Sequence, residues 1–178
     1  MNPKQNTLRA ITRNGPEWTP NGREAIARIM PPVVERPVEA GCDAFGVHWS
    51  LDAEAEGGTY PTRGGHTIAD LACWREQIMI PNVEALDWGA VEARLRDMDR
   101  DAYLVEGFVE MGLFERSYLL LGMEEALMAY LAEPELLSEM LAAIADYKIA
   151  LIERFDDVAN LDMIWYGDDW GTQRSPFL

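Results

Sequence analysis

The apolar positions change period along the chain, and the changes mark its elements. Residues 1–20 show no sustained period and carry Asn14, Gly15, Pro16 and Pro20, so they read as an irregular arm. Arg23–Met30 reads as a short helix capped by Asn21 or Thr19 and stopped by Pro31–Pro32. Val33–Glu39 reads as a second, closed by Gly41. Asp43–Trp49 is short and apolar-rich between Gly41 and Ser50, the signature of a strand. Residues 51–67 form a glycine-rich loop with turns at Gly57–Gly58 and Gly64–Gly65. Asp70–Trp74 opens a short helix or turn, and Pro81 follows.

Helical spacing returns at Val91, Leu95 and Met98, with Asp87 as the N-cap of Trp88–Arg100. Ala102–Phe108 is a second strand, Gly112–Gly122 (GLFERSYLLLG) starts a helix, and Glu124–Leu131 continues it. Pro134 suits the first position of the longest helix, 134–158, with Leu137, Leu141, Ile144, Leu151 and Phe155 on one face. Leu161–Trp165 is the third strand. Strands separated by helices predict a parallel α/β architecture. In a β/α barrel the chemistry sits at the carboxyl ends of the strands. Here those ends are His48–Asp52, Gly107–Tyr118 and Gly167–Trp170.

Composition fits a globular chain, with 48% apolar and 26% charged residues. The 31 acidic against 15 basic residues give a formal charge of −16, which repels nucleic acid and anionic membranes. No apolar run suggests a membrane span, and MNPKQNTLRAITRNG has no signal-peptide core. Cys42 and Cys73 form no CxxC or metal-like cluster and read as free buried thiols. These features predict a cytoplasmic protein.

The segments at the predicted strand ends occur in a recognisable order. They are CDAFGVHW, IADLACWREQIMIPN, VEGFVEMGLFERSYLLLG, MEEALMAYLAEPELLSEML and LDMIWYGDDWGTQRSPFL. Together they resemble the amino-terminal half of the uroporphyrinogen decarboxylase superfamily, which includes corrinoid and coenzyme M methyltransferases. The resemblance implies a partial TIM (β/α)8-type barrel with an N-terminal helical arm and about three parallel strands. It divides the chain into the arm and its helices, residues 1–40, and the first three β/α units, 41–178. It further implies a missing C-terminal barrel half or a homodimer partner.

The same resemblance implies site residues. It places the strand-three substrate contact on Asp168 or Asp169, with Asp169 favoured. It carries a substrate-binding tyrosine onto Tyr118 and a strand-one carboxylate onto Asp52. His48 is a natural acid or base beside Asp52. Trp49, Trp165 and Trp170 would wall a flat cavity for a tetrapyrrole or plug the barrel rim. Asp168 and Asp169 could equally cap a helix or solvate a turn, and Tyr118 could pack on the sheet. Arg63 and His66 could bind an anion or keep their loop soluble.

The superfamily's porphyrinogen decarboxylases carry an arginine motif that grips propionates; Arg13, Arg23 and Arg28 do not reproduce it. That absence favours methyl transfer, with a corrinoid protein or small methyl donor as partner, over decarboxylation of a tetrapyrrole. The zinc ligands of such relatives lie in the later half of the barrel, so no metal ligand and no cofactor are expected in this chain, while a complete methyltransferase-like protein would take zinc and corrinoid; cofactor-binding residues here are left open. An inactive fragment or interaction subunit is the third alternative.

Overall fold

The computed structural model describes residues 1–52 and 58–177. It is a mixed α/β fold with an N-terminal helix and a three-stranded parallel sheet, and no closed barrel is formed among the described residues. The chain divides into two compact units. One holds residues 1–32, 86–109 and 151–166, and the other holds 33–85, 110–150 and 167–178.

The first unit begins with α1, Pro3–Ile11, where an irregular arm was expected. Asn2 accepts a hydrogen bond from the Gln5 N–H, and the Gln5 side chain accepts one from the Asn2 N–H. Pro3 stands at the start of the helix, where its missing N–H costs nothing. This capping box supports a helix that is polar on average and whose Leu8 and Ile11 are exposed. Asn6, fully buried, pins the following loop by accepting from Glu17 N–H and donating to the Trp18 carbonyl.

The expected helix Arg23–Met30 is instead a strand, β1, Ile26–Ile29. It pairs in parallel with β5, Leu104–Val109, which pairs in parallel with β6, Met163–Tyr166. The β-branched Ile26 and Ile29 suit a sheet, and four ladder positions outweigh the local helical preference of a short stretch. β5 and β6 begin two residues later than expected.

One face of this sheet packs on the last turns of the long helix. Gly107 lies so close to Leu161 and Phe155 that an added Cβ would come within 2.6 Å of Leu161 Cδ1. The other face carries Arg28, Glu106, Phe108 and Trp165. Arg28 Nε meets Glu106 Oε1 at 2.5 Å, and the guanidinium lies 4.0 Å above the Phe108 ring. Phe108 in turn stacks on Trp165 at 4.2 Å. α3, Gly89–Arg96, is shorter than the expected Trp88–Arg100. Its N-cap is Trp88 rather than the expected Asp87, whose Oδ1 nevertheless accepts from the Gly89 N–H at 2.9 Å. Arg100, beyond the helix, donates to the carbonyls of Ala159 and Asn160, placing a cation at a helix C-terminus that has none of its own.

In the second unit the expected helix Val33–Glu39 is irregular, interrupted by Pro37. The expected strand Asp43–Trp49 is a turn followed by a hairpin arm. Asp43 Oδ1 accepts from both Phe45 and Val47 N–H groups, and Gly46 supplies a φ of +82°. Gly41–Cys42 (β2) then pairs antiparallel with His48–Leu51 (β3), which pairs with Thr59–Pro61 (β4). Phe45, Val47 and Trp49 alternate into the core, so the apolar pattern is real although its hydrogen bonds are local. The helix-or-turn expected over Asp70–Trp74 is a 3-10 turn, Leu71–Cys73, leading into α2, Trp74–Gln77.

The helical half follows the sequence pattern closely. α4 spans Leu113–Leu121, α5 spans Met123–Ala132 and α6 spans Pro134–Ala159. Gly122, at φ +93°, separates α4 from α5. α6 buries Leu137, Met140, Ile144, Leu151 and Phe155; Leu141 is only half-buried, and Met140 takes the inward position. No helix among the described residues is long and apolar enough to cross a membrane.

Candidate functional site

α4 starts at Gly112, which has no side chain to cap it. The cap comes from the other end of the second unit. Asp168 Oδ2 accepts from Phe114 N–H at 3.0 Å, and Oδ1 accepts from Glu115 N–H at 2.8 Å. The Gly112 N–H donates to the Gly167 carbonyl at 2.8 Å, which fixes the two segments side by side. Gly112 is the residue this approach permits, because a Cβ there would fall 2.3 Å from Asp168 Cβ. A carboxylate at a helix N-terminus also meets the positive end of the helix dipole.

Glu115 and Tyr118 rise from the first turns of α4 beside this carboxylate. Burial, reinforced by the charge of Asp168, pushes the Glu115 carboxyl above its ordinary range. Tyr118 is half-buried, and its phenol is pushed up, first by burial and then by Glu115, Asp169 and Asp168. Tyr118 therefore keeps its proton at neutral pH and acts as a hydrogen-bond donor. Asp169 is exposed, with the Gly171 N–H 3.4 Å from its Oδ1. Glu115, Asp168 and Asp169 take part in none of the ion pairs among the described residues.

Tyr118 also lines a cleft of about 490 Å³ with Arg63, His66, Glu124 and Glu125. The loop basic residues and the helix tyrosine, separate in sequence, thus share one cleft. On the opposite flank Phe114 packs edge-on against Tyr118 and lines a second, apolar cavity of about 340 Å³ with Tyr130, Trp170 and Phe177.

The remaining expected residues lie on the hairpin or the sheet. His48 is exposed on β3, with Cys42 Sγ 3.4 Å from its Nδ1. Asp52 is exposed just after β3. Trp49 is buried, and its indole N–H donates to Asp43 Oδ2 at 3.3 Å. Cys42 and Cys73 are free thiols, as expected, but both are exposed: the first lies on a hairpin strand and the second in a 3-10 turn. Zinc needs three or four ligands. Cys42 and His48 make a pair, and no group of three such residues forms among the described residues. This arrangement does not fit a zinc site.

Sequence patterns did not foretell a buried ionic network. Arg116, with no exposed surface, donates to Asp43 Oδ2 at 2.7 Å and to Glu35 Oε2 at 3.1 Å. Lys148 donates to Glu35 Oε2 and to the Glu110 carbonyl, and the Tyr147 hydroxyl donates to Glu35 Oε1. Burial lowers the Lys148 pKa, and Glu35 opposes that shift. Two carboxylates and two cations balance, as a buried cluster requires. Arg116 amid the apolar residues of α4 was the available signal.

A scan against protein-family models, a search of curated proteins and a search of solved structures each return no match.

Proposed function

We propose that this chain is the amino-terminal portion of a barrel of the uroporphyrinogen decarboxylase type, and that the complete protein transfers methyl groups in tetrapyrrole- or corrinoid-related chemistry. The observation that carries this reading is the meeting of Tyr118, Glu115, Asp168 and Asp169, from the segments that follow β5 and β6. Those segments leave the carboxyl ends of parallel strands, where β/α barrels keep their chemistry. The sheet order β1-β5-β6 follows chain order, as in a singly wound barrel.

In this reading Tyr118 donates a hydrogen bond to the substrate, and Asp169 faces a positive or N–H group. Asp168 holds α4 in place for both. Decarboxylation of a highly anionic porphyrinogen is less favoured. Its propionates need several free cations, whereas Arg28 is committed to Glu106 and Arg116 to Glu35 and Asp43. Arg63 and His66 are the basic residues in the Tyr118 cleft.

The test uses the protein as encoded, assayed in parallel for thiol-dependent demethylation of methylcobalamin and for release of carbon dioxide from uroporphyrinogen. Demethylation is expected, reduced about 10- to 100-fold by Tyr118→Phe if the phenol stabilises the transition state. Carbon dioxide release without demethylation would replace this reading with the decarboxylase one. Neither activity would remove both.

A further inference from the structure

The apolar cavity of the second unit is built by chain segments far apart in sequence. The Trp170 carbonyl accepts a hydrogen bond from Phe177 N–H at 3.0 Å, and Thr172 N–H donates to the Ser175 carbonyl at 2.9 Å. This closes the segment 170–177 into a turn. The approach of Gly171 to Ser175 and Pro176 is too close for any side chain at 171, where a Cβ would lie 2.8 Å from the Ser175 carbonyl oxygen. The turn lays Phe177 on Phe114, with nearly parallel rings 5.6 Å apart. Phe114 meets Tyr130 at 5.7 Å. The Tyr130 hydroxyl is occupied by Ser117 Oγ at 3.3 Å, so the ring rather than the phenol O–H is what Tyr130 has to offer.

Four aromatic side chains therefore border about 340 Å³, at the small end of ligand cavities. The lining itself is uncharged and the closing turn carries Arg174, but carboxylates gather at the start of α4, where Phe114 stands. Asp168 sits on the backbone of Phe114, and its charge is felt at Tyr130. Glu115 and Asp169 stand close to Asp168, and none of the three carboxylates forms an ion pair among the described residues. Aromatic faces attract cations through their quadrupole, and bulky, weakly hydrated cations lose least on entering an apolar site.

We propose that Phe114, Tyr130, Trp170 and Phe177 form a receptor for a small methylated ammonium ion. The ligand is a free small molecule held by aromatic faces within the field of Glu115, Asp168 and Asp169. Its lining differs from that of the Tyr118 cleft, although Phe114 packs on Tyr118 and the same carboxylates serve both, and the binding test needs no turnover of the reaction proposed above.

The experiment titrates the full chain with tetramethylammonium chloride, followed by tryptophan fluorescence and by NMR shifts of the aromatic protons. Sodium chloride matches the ionic strength, and the neutral isostere 3,3-dimethylbutan-1-ol is titrated in parallel. Saturable binding of the cation, at least several-fold tighter than the alcohol, is expected. Trp170→Leu and Phe177→Leu keep the cavity apolar but remove a π face, and each should weaken the cation about tenfold while sparing the alcohol. Phe177→Tyr should restore binding. Equal affinity for cation and alcohol, or no saturable binding by the unaltered chain, overturns the proposal. Tighter binding of a trimethyl-lysine peptide than of tetramethylammonium would overturn its assignment to a free small molecule.

Discussion

Asp168 and Asp169 are neighbours with different work. Asp168 is half-buried and caps α4 with both carboxylate oxygens, while Asp169 is exposed on the turn that follows. Both bear on Glu115, whose carboxyl is pushed up by burial and then by Asp168, while the Asp169 backbone N–H opposes the shift. A carboxyl that holds its proton to higher pH in the folded state stabilises the fold fully below the ordinary carboxylate range. That contribution is lost as pH rises through the folded pKa. Glu115→Gln removes the cost of ionisation. It should therefore gain stability relative to the unaltered chain as pH rises from the ordinary carboxylate pKa to neutrality, and show a flat difference below it. Urea denaturation from acid to neutral pH checks this, and a difference independent of pH would refute it.

Among the elements, α4 is the one most dependent on long-range partners. Its N-terminus borrows Asp168, and its interior carries Arg116, whose partners Glu35 and Asp43 come from the irregular segment and the Asx turn. The Arg116 contact with the Phe45 ring, 4.1 Å from guanidinium to centroid, ties the turn to the helix. Arg116→Met would leave buried Asp43 without a cation and Glu35 with Lys148 alone, and should cost about 3–5 kcal/mol in chemical denaturation. Replacing Arg116 and Asp43 together by Met and Asn, which keeps the Glu35–Lys148 pair, should recover part of that loss. Asn keeps an oxygen for the Phe45 and Val47 N–H groups, and the recovery separates unpaired charge from lost packing. The helices were legible because α4–α6 carry their own periodicity. The capping box of α1 was also present in the sequence, as Asn2-Pro3 with Gln5, but its helix is short and polar on average.

Charge acts on the whole molecule at once. A formal −16 opposes compaction, and added salt screens the repulsion. The thermal midpoint should rise by a few degrees between about 10 mM and about 300 mM sodium chloride, as read by circular dichroism. A falling midpoint would show that ion pairs such as Arg28–Glu106 outweigh the repulsion. The parallel sheet is unusual in its exposure. Parallel strands are normally covered on both faces, yet Ile164, Trp165 and Tyr166 of β6 are 39–42% exposed. That exposed outer strand is a physical reason to look for a covering element, which accords with the proposed barrel.

By itself the sequence determined the second and third strands to within two residues at their starts, the helices from Gly112 onward, and the acidic turn at Asp168–Asp169. Those features are local: each is written in the spacing of neighbouring residues. Which segment supplies the first parallel strand was settled by long-range pairing, which drew Ile26–Ile29 rather than Asp43–Trp49 beside β5. The buried ionic network, the cap lent by Asp168 and the aromatic cavity likewise join residues far apart along the chain. No periodicity records such partnerships, because their energy exists only once the chain has brought the groups within reach.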